Sequence, residues 1–363
     1  SFKEVNFNTL NTSLALNQDL SVITKGLSLK ALVNFKNWSE TSYTRSIKSN
    51  IYKVKDGSYN PETGEYDYQL LQTGDQFLSQ SGISRNSDQT FYFDARLDWK
   101  RSFGDHNLTA MAMYMMREYR SDVLPNRNQG YSGRVTYDYA SKYLVEFNFG
   151  YNGSERLAAG QRFEFFPAVS AGWVASSEKF WEPISKYINH FKIRGSYGLV
   201  GSDAFASGAP HFLYQNNIGI GSAHKFWTGL PTSEISKQGP GFYVLAVQDA
   251  GWEHVKKFDI GFDMMLFNQL NITFDYFHDK RERILMSRAS WPSMLGYWGS
   301  KPWSNIGEVE NQGFELSLNW TKQFGKDLTL DLRGNFTYNQ NEYKYVDEPS
   351  YPYVWQTNTG KPL

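Results

Sequence analysis

The stretch YSGRVTYDY-ASK-YLVEFNFGY, residues 131–151, decides the fold class of this chain. Apolar residues occupy nearly every second position of both nine-residue arms, and polar or charged residues occupy most positions between them. Such alternation indicates β-strands, because successive side chains of a strand point to opposite faces. Two strands joined by three small or polar residues predict a β-hairpin.

The length of these arms matches the thickness of a membrane. Nine residues span about 30 Å at ~3.3 Å per residue, and a tilt of ~40° leaves roughly 23 Å of height. That height is close to the apolar band of a transmembrane β-barrel. The apolar faces also begin and end in tyrosine, at Tyr131, Tyr139, Tyr143 and Tyr151, as in an aromatic girdle. We therefore interpret the stretch as a transmembrane hairpin.

The same alternation recurs along the chain and predicts twelve strands. The segment 108–117 is apolar on both faces, and we predict a strand there because both neighbours are strands. In this alignment no charged residue lies on an apolar face, where a basic side chain would cost roughly 2–4 kcal/mol at the bilayer midplane. The apolar rows lie at residues 10–16, 27–35, 91–99, 108–117, 131–139, 143–151, 167–175, 191–199, 258–266, 270–276, 314–320 and 328–338.

The connections between the predicted strands alternate between short and long. Transmembrane barrels have this asymmetry, with short turns on the periplasmic side and long loops outside. The sequence therefore predicts an all-β fold, an antiparallel transmembrane β-barrel. A short helix is predicted near EKFWEP, residues 178–183. Short connections lie near 17–26, 101–106, 140–142, 176–190, 267–269 and 322–327, and long ones near 37–89, 118–130, 153–164, 200–256, 279–311 and after 340.

The faces opposite the apolar rows carry the charges, so we expect a polar lumen. Acids and bases on neighbouring strands are expected to form salt bridges there rather than a catalytic dyad. The predicted lumen-facing residues are Asp94, Arg96, Asp98, Arg134, Glu146, Lys192, Arg194, Asp259 and Asp263.

Aromatic residues in the two longest connections are candidates for contact with a ligand or a partner protein. The alternative is that they pack the loops together. These residues are Trp227, Tyr243, Trp252, Trp291, Tyr297, Trp298 and Trp303.

Composition excludes several kinds of chemistry. The chain of 363 residues has no cysteine, which removes disulfides, thiol nucleophiles and thiolate metal sites. Its net charge is zero, so nothing favours nucleic acid as a partner. The six histidines show no metal-ligand spacing, and we predict no metal site, no catalytic residue and no cofactor. The acidic segment 56–67 predicts a loop hairpin; calcium could bind there, although the spacing differs from an EF-hand.

Several segments resemble the SusC/RagA family of TonB-dependent nutrient transporters, and they occur in the order of that family. The resemblance implies a 22-stranded barrel in the Gram-negative outer membrane, with an N-terminal plug that contacts TonB. It also implies a SusD-like lipoprotein lid on the outer loops, dimers of transporter–lid pairs, and import of oligosaccharides or oligopeptides. The segments are TKGLSLK (24–30), GRVTYDYASKYLVEFNFGYNGSERLA (133–158), FFPAVSAGW (165–173), EKFW (178–181), KIRGSYGLVGSD (192–203), KFDIGFDMMLFNQLNITFDYF (257–277) and NIGEVENQGFELSLNW (305–320).

Twelve strands make only part of such a barrel. Open edges in lipid would leave backbone groups unpaired, so a barrel must close. We therefore expect residues 1–363 to form part of one barrel domain, completed by further strands and a plug outside this sequence. The alternatives are a self-contained twelve-stranded porin, an outer-membrane lipase, or a surface adhesin. A lipase is disfavoured because His278, which lies near a rim, has no nucleophile motif beside it.

Overall fold

The computed structural model describes residues 2–205, 209–228, 235–292, 294 and 301–363. Almost all regular structure in this part of the chain is β-strand, as the alternation predicts. The strands are β1 (Phe2–Asp19), β2 (Leu27–Ser46), β3 (Ile51–Val54), β4 (Tyr68–Gln72), β5 (Ser79–Gln80), β6 (Ser84–Phe103), β7 (His106–Arg120), β8 (Asn126–Tyr139), β9 (Tyr143–Ser154), β10 (Phe163–Val174), β11 (Ile188–Ser202), β12 (Asn217–Thr228), β13 (Ile235–Val244), β14 (Glu253–Leu266), β15 (Leu270–Ser287), β16 (Trp303–Phe324) and β17 (Leu328–Tyr345).

One sheet contains the twelve strands that the apolar rows predict. Its hydrogen-bonded order is β1-β2-β6-β7-β8-β9-β10-β11-β14-β15-β16-β17, and the short β5 pairs with β2. Neighbours in this order are also neighbours among the predicted strands, so the sheet is an antiparallel meander. Two small hairpins, β3-β4 and β12-β13, form separate sheets within the long connections. The expected loop hairpin at residues 56–67 is the tip of β3-β4.

The chain divides into two compact units. The first comprises Ser1–Leu14, Leu32–Phe93 and Arg117–Asn126, and the second comprises Ala15–Ala31, Asp94–Met116 and Arg127–Leu363. The first unit contains the β3-β4 hairpin and the pairing of Arg45 with Gln80. The second unit contains the charged and aromatic clusters described below.

The hairpin of β8 and β9 forms as predicted. Its register places Val135 opposite Phe147 and Tyr139 opposite Tyr143. Lys142 N–H donates to the Tyr139 carbonyl at 2.9 Å, and the central residues of this turn, Ala140 and Ser141, have φ values of 50° and 57°, the left-handed conformation of a type I′ turn. Gly133 lies beneath the ring of Phe149, and a Cβ atom there would lie 2.4 Å from that ring. Glycine therefore lets the aromatic side chain fold across the neighbouring strand.

The strands are longer than their apolar rows, and the predicted loop boundaries are wrong for this reason. The connection predicted at 118–130 spans only residues 121–125, and the one predicted at 279–311 spans 288–302. The 200–256 connection holds β12 and β13. Backbone hydrogen bonds continue a ladder whatever the side chains are, whereas the apolar row marks only the part that contacts lipid.

The connection between β10 and β11 contains the helix that the sequence predicts. It is a 3-10 helix at Lys179–Ile184, preceded by a 3-10 turn at Ala175–Ser177. In the part of the chain that the structure describes, no helix has the length and apolarity needed to cross a membrane.

The tightly buried apolar side chains lie mostly in the long connections and strand ends rather than in mid-sheet. One cluster comprises Leu157, Phe166 and Trp252, and a second comprises Leu213, Ala250 and Leu285. The sheet's own apolar side chains remain exposed, as for Phe147 (43%) and Val169 (48%). Apolar side chains that face lipid need no protein core, which explains this inverted distribution.

Candidate functional site

Arg194 on β11 holds a cluster of carboxylates on the polar face of the sheet. Its Nη1 lies 2.7 Å from Asp275 Oδ1, and its Nη2 donates to Asp275 Oδ2 at 2.7 Å. Its Nε lies 3.3 Å from Asp263, and Nη1 lies 3.6 Å from Asp259. One guanidinium thus links three aspartates on two neighbouring strands, with one hydrogen bond and one further close N–O contact to Asp275.

Gly261 makes this arrangement fit. The register places Arg194 opposite Gly261 and Gly261 opposite Asp275. A Cβ atom at Gly261 would lie 2.2 Å from Asp275 Oδ1, so only glycine leaves room for the carboxylate to cross β14. Asp275 was not among the predicted lumen residues, although it alternates with Phe274 and Tyr276 and could have been found by that signal.

Other predicted polar-face residues also form ion pairs. Asp98 accepts from Arg96 at 3.0 Å and lies 3.4 Å from Lys30 Nζ. Arg134 Nε lies 3.6 Å from Glu146 Oε1. The contacts of Asp98 with Lys30 and of Arg134 with Glu146 join neighbouring strands, as the sequence predicts, whereas Arg96 and Asp98 lie on the same strand.

A depression of about 370 Å³ lies on the same face and brings several predicted residues together. Its floor contains the small residues Ser170 and Gly172, which leave space between the longer side chains. Both signs of charge line it, so the depression suits a polar, hydrated occupant. The charged residues around it are Asp138, Glu146, Lys192, Arg194 and Asp259.

The polar-face cluster should contribute to the stability of the sheet. We expect Arg194→Met to destabilise the full-length protein in phospholipid vesicles by about 1–3 kcal/mol, because three carboxylates lose their shared donor. The urea midpoint measures this loss, and removing one acid in Arg194→Met/Asp275→Leu should recover part of it.

Arg134→Met is the matched control for Arg194. Its side chain is 54% exposed, donates to Asn148 Oδ1 at 2.8 Å and lies 3.6 Å from one carboxylate, that of Glu146, so the expected loss is small. Equal losses in the two single variants would show that the aspartate cluster has no special role.

The sequence suggests Trp252 as a contact residue, but the structure shows that its side chain is buried. Its side chain is 5% exposed and packs edge-on against Phe166, with 5.3 Å between ring centroids. Its indole N–H donates to the carbonyl oxygen of Arg162 at 3.1 Å. A side chain that is buried by its own loops cannot contact a ligand. The contacts of Trp252 with Phe166 and Arg162 instead join the loops together.

The other predicted aromatic residues have different environments. Trp303 is half-buried against the Leu213 cluster, Trp291 is half-buried, and Tyr243 is 51% exposed. Trp227 lies in β12. Tyr297 and Trp298 lie outside the described residues.

A stacked aromatic pair beyond β17 was missed by the sequence reasoning. Tyr353 and Trp355 lie with ring centroids 4.3 Å apart and an interplanar angle of 11°, and they are 53% and 70% exposed. The Glu348 carboxylate accepts from the backbone N–H groups of Asn358 and Thr359, which orders this segment. These hydrogen bonds hold the pKa of Glu348 below its usual value.

Charged side chains also order the long-connection end of β14 and β15. Glu253 is 4% exposed and accepts from Arg281 at 2.7 Å. Hydrogen bonds from Lys256 and Lys280 lower the pKa of Glu282. Burial lowers the pKa of Arg156, whose guanidinium lies 4.1 Å from the ring centroid of Phe205. This end of the sheet is therefore a structured platform rather than a set of independent loops.

The acidic segment 56–67, where the sequence allows a calcium ion, is part of the β3-β4 connection. Among the residues that the structure describes, no three His, Asp or Glu side chains converge closely enough to hold a metal ion.

The family model described as TonB dependent receptor-like, beta-barrel, matches residues 3–363. The chain belongs to this family. Barrels of TonB-dependent receptors lie in the outer membrane of Gram-negative bacteria, so the chain crosses that membrane many times. Matching proteins are named as receptors and transporters, which supports a role other than catalysis at the level of the family.

Individual TonB-dependent receptors are similar to large parts of the chain. TonB-dependent receptor P3 of Formosa agariphila is 31% identical over 211 residues, covering 58% of this chain and 20% of that protein. TonB-dependent receptor SusC of Bacteroides thetaiotaomicron is 24% identical over 324 residues, covering 85% of this chain and 28% of SusC. The matched part of the chain thus spans 20% and 28% of the length of these two relatives.

Solved structures agree with the fold. The RagAB peptide transporter matches with a TM-score of 0.68 at 18% identity, over 99% of this chain and 40% of that chain. The outer membrane transporter YddB from Escherichia coli matches with a TM-score of 0.56 at 12% identity, over 94% and 43%. The prediction of an antiparallel transmembrane barrel with about twelve strands in this chain is thereby confirmed.

Proposed function

We propose that this chain forms part of the barrel wall of a TonB-dependent transporter that imports oligosaccharides or oligopeptides across the outer membrane. The observation that carries the proposal is the two-sided sheet. One face is an aromatic and aliphatic surface suited to lipid, and the other holds ion pairs and a polar depression suited to a water-filled or plugged interior. The family match over residues 3–363 supports energy-coupled import rather than a passive porin.

In the proposed transporter, the remaining strands, the plug and the lid lie outside this chain. Further strands complete a barrel of 22, and a plug domain with a TonB-contacting segment occupies the interior. A SusD-like lipoprotein covers the outer loops, in line with the similarity to SusC and to the RagAB transporter. Two such transporter–lid pairs associate as a dimer.

The platform at the long-connection end is the surface we assign to the lid. The 200–256 connection is anchored by the buried Leu213 and Ala250, and Val247 N–H donates to the Leu213 carbonyl at 2.9 Å. The β12-β13 hairpin extends from this anchored base. Large aromatic side chains on such a base supply interface energy at low conformational cost.

Dependence on TonB is the decisive test of the proposed function. Uptake of mixed oligosaccharides or oligopeptides through the full-length protein should cease in a strain without TonB, because transport needs energy from the inner membrane. Continued uptake in that strain would support the porin alternative instead.

Removing the β12-β13 hairpin should separate lid binding from folding. Asn217 pairs with Val244, so an Asn-Gly turn can replace residues 218–243 and leave the anchored base in place. We expect heat-modifiable migration on gels to remain, because loop tips tolerate such changes. Co-purification of the lipoprotein or uptake should fall, and normal values of both would place the contact elsewhere.

A further inference from the structure

We propose that the short-turn end of the sheet binds the phosphate headgroups of membrane phospholipids through Arg101 and Lys322. Each cation lies on the lipid-facing side of its strand, between a tryptophan and a phenylalanine. The inference goes beyond the import function and rests on the outer-membrane location of the barrel.

The apolar row of β16 ends in the order Trp320, Lys322, Phe324. Ring contacts at 6.1 Å with Phe274 and 5.8 Å with Phe336 place Phe314 on the apolar face. The pairing of β16 with β17 has no register shift from Val309 onward, so the alternation carries Trp320 and the two residues beyond it onto that face.

The apolar row of β6 ends in the same way, with Trp99, Arg101 and Phe103. The Arg101 guanidinium lies 4.9 Å from the ring centroid of Phe103, and Lys322 Nζ lies 5.4 Å from that of Phe324. Within the described part of the chain neither cation forms a salt bridge. The arrangement therefore recurs on two strands that are not neighbours in the sheet.

The position of these cations matches the chemistry of the membrane interface. Tryptophan side chains prefer the level of the headgroups, and two further residues advance a strand by about 6.6 Å toward water. A basic side chain on the lipid face is costly at the midplane but tolerated at the interface. Protein on the polar face of the sheet cannot reach these side chains, so a phospholipid phosphate is the anion that fits.

The connection between β10 and β11 extends the same surface. Phe180 in the 3-10 helix is 64% exposed and lies 6.2 Å from Trp173, at the end of the apolar row of β10. Trp181 stacks on Phe191 of β11 at 5.3 Å. The 3-10 helix therefore lies on the lipid side of the sheet.

The turn between β14 and β15 places an exposed phenylalanine at the same end of the sheet. Phe267 is 57% exposed and has a φ of 54°, a conformation that a bulky residue rarely adopts. Its N–H donates to the carbonyl of Tyr187 at 2.9 Å, which joins the turn to the preceding connection. A strained, exposed aromatic ring is consistent with insertion into the acyl chains beside the headgroups.

The test compares unfolding of the full-length transporter in two media. Arg101→Gln/Lys322→Gln should lower the folding equilibrium constant about fivefold per cation in phosphatidylethanolamine/phosphatidylglycerol vesicles, as measured by urea titration. In dodecyl maltoside micelles, which contain no phosphate, the same variant should match the parent protein.

Lys100→Gln is the matched control, because Lys100 is adjacent to Arg101 but points to the polar face. It should show no difference between the two media. An equal loss for the double variant in vesicles and micelles would mean that the cations act within the protein. No loss in vesicles would mean that they do not contact headgroups; either result overturns the proposal.

A spin label at Phe180→Cys provides a measurement that does not depend on assembly of the charge variant. In the vesicles, the label should be more accessible to oxygen than to a water-soluble nickel chelate, because it lies among acyl chains. Ser58→Cys in the β3-β4 connection should show the opposite order. A nickel-accessible label at 180, or one shielded from both reagents, would contradict the membrane contact.

Discussion

Val169→Lys is expected to impair assembly of the barrel far more than Ser170→Lys at the next position. Val169 pairs with Phe147 at the centre of the hairpin's apolar face, and it is 48% exposed in the chain alone. A lysine there meets acyl chains near the midplane, which costs about 2–4 kcal/mol. We expect the urea midpoint in phospholipid vesicles to fall accordingly and heat-modifiable migration to be reduced.

Ser170→Lys is the control because it changes the same strand by the same side chain on the other face. Ser170 pairs with Glu146 and with Ser196, so the new ammonium group faces a carboxylate and water. Stability should change little. A larger loss for Ser170→Lys than for Val169→Lys would mean that the two faces are assigned the wrong way round.

Trp252→Ala is expected to loosen the outer platform without unfolding the membrane part of the barrel. Truncating a buried tryptophan usually costs about 3–5 kcal/mol, because both apolar contact and packing are lost. Here the lost contacts are those with Leu157 and Phe166, together with the hydrogen bond to Arg162. Amide hydrogen exchange should accelerate in the 155–162 and 245–252 segments and remain slow in the central parts of β9 and β10.

Trp355→Ala is the control, because it also truncates a tryptophan to alanine but at an exposed position. Its side chain is 70% exposed, so its truncation removes little buried area. Exchange in the 155–162 segment should match the parent protein. Unchanged exchange in both variants would show that Trp252 does not secure the platform.

Local patterns in the sequence determined the twelve successive strands of the main sheet and its two faces, but not the short β5, the strands β3 and β4 that flank the 56–67 loop hairpin, or the β12-β13 hairpin. A charged side chain that faces lipid is costly in every strand, so the lipid face of each strand carries apolar residues. The alternation of apolar and polar residues therefore shows which side of a strand faces lipid. The hairpin of β8 and β9 and the polar-face position of Arg194 follow from this rule alone. The order of the strands also follows, because short connections join antiparallel neighbours.

Tertiary structure alone decided how far the strands extend and which side chains meet. The strands extend into polar sequence because backbone hydrogen bonds hold neighbouring strands together whatever the side chains are. The alternation of side chains therefore does not show where a strand ends. In the sequence Trp252 resembles an exposed loop residue. In the structure it is buried by Phe166 and Leu157, which lie 86 and 95 positions earlier in the chain. Asp275 reaches Arg194 because the register sets Gly261 between them. Such pairings depend on distances across separate strands, which no local periodicity encodes.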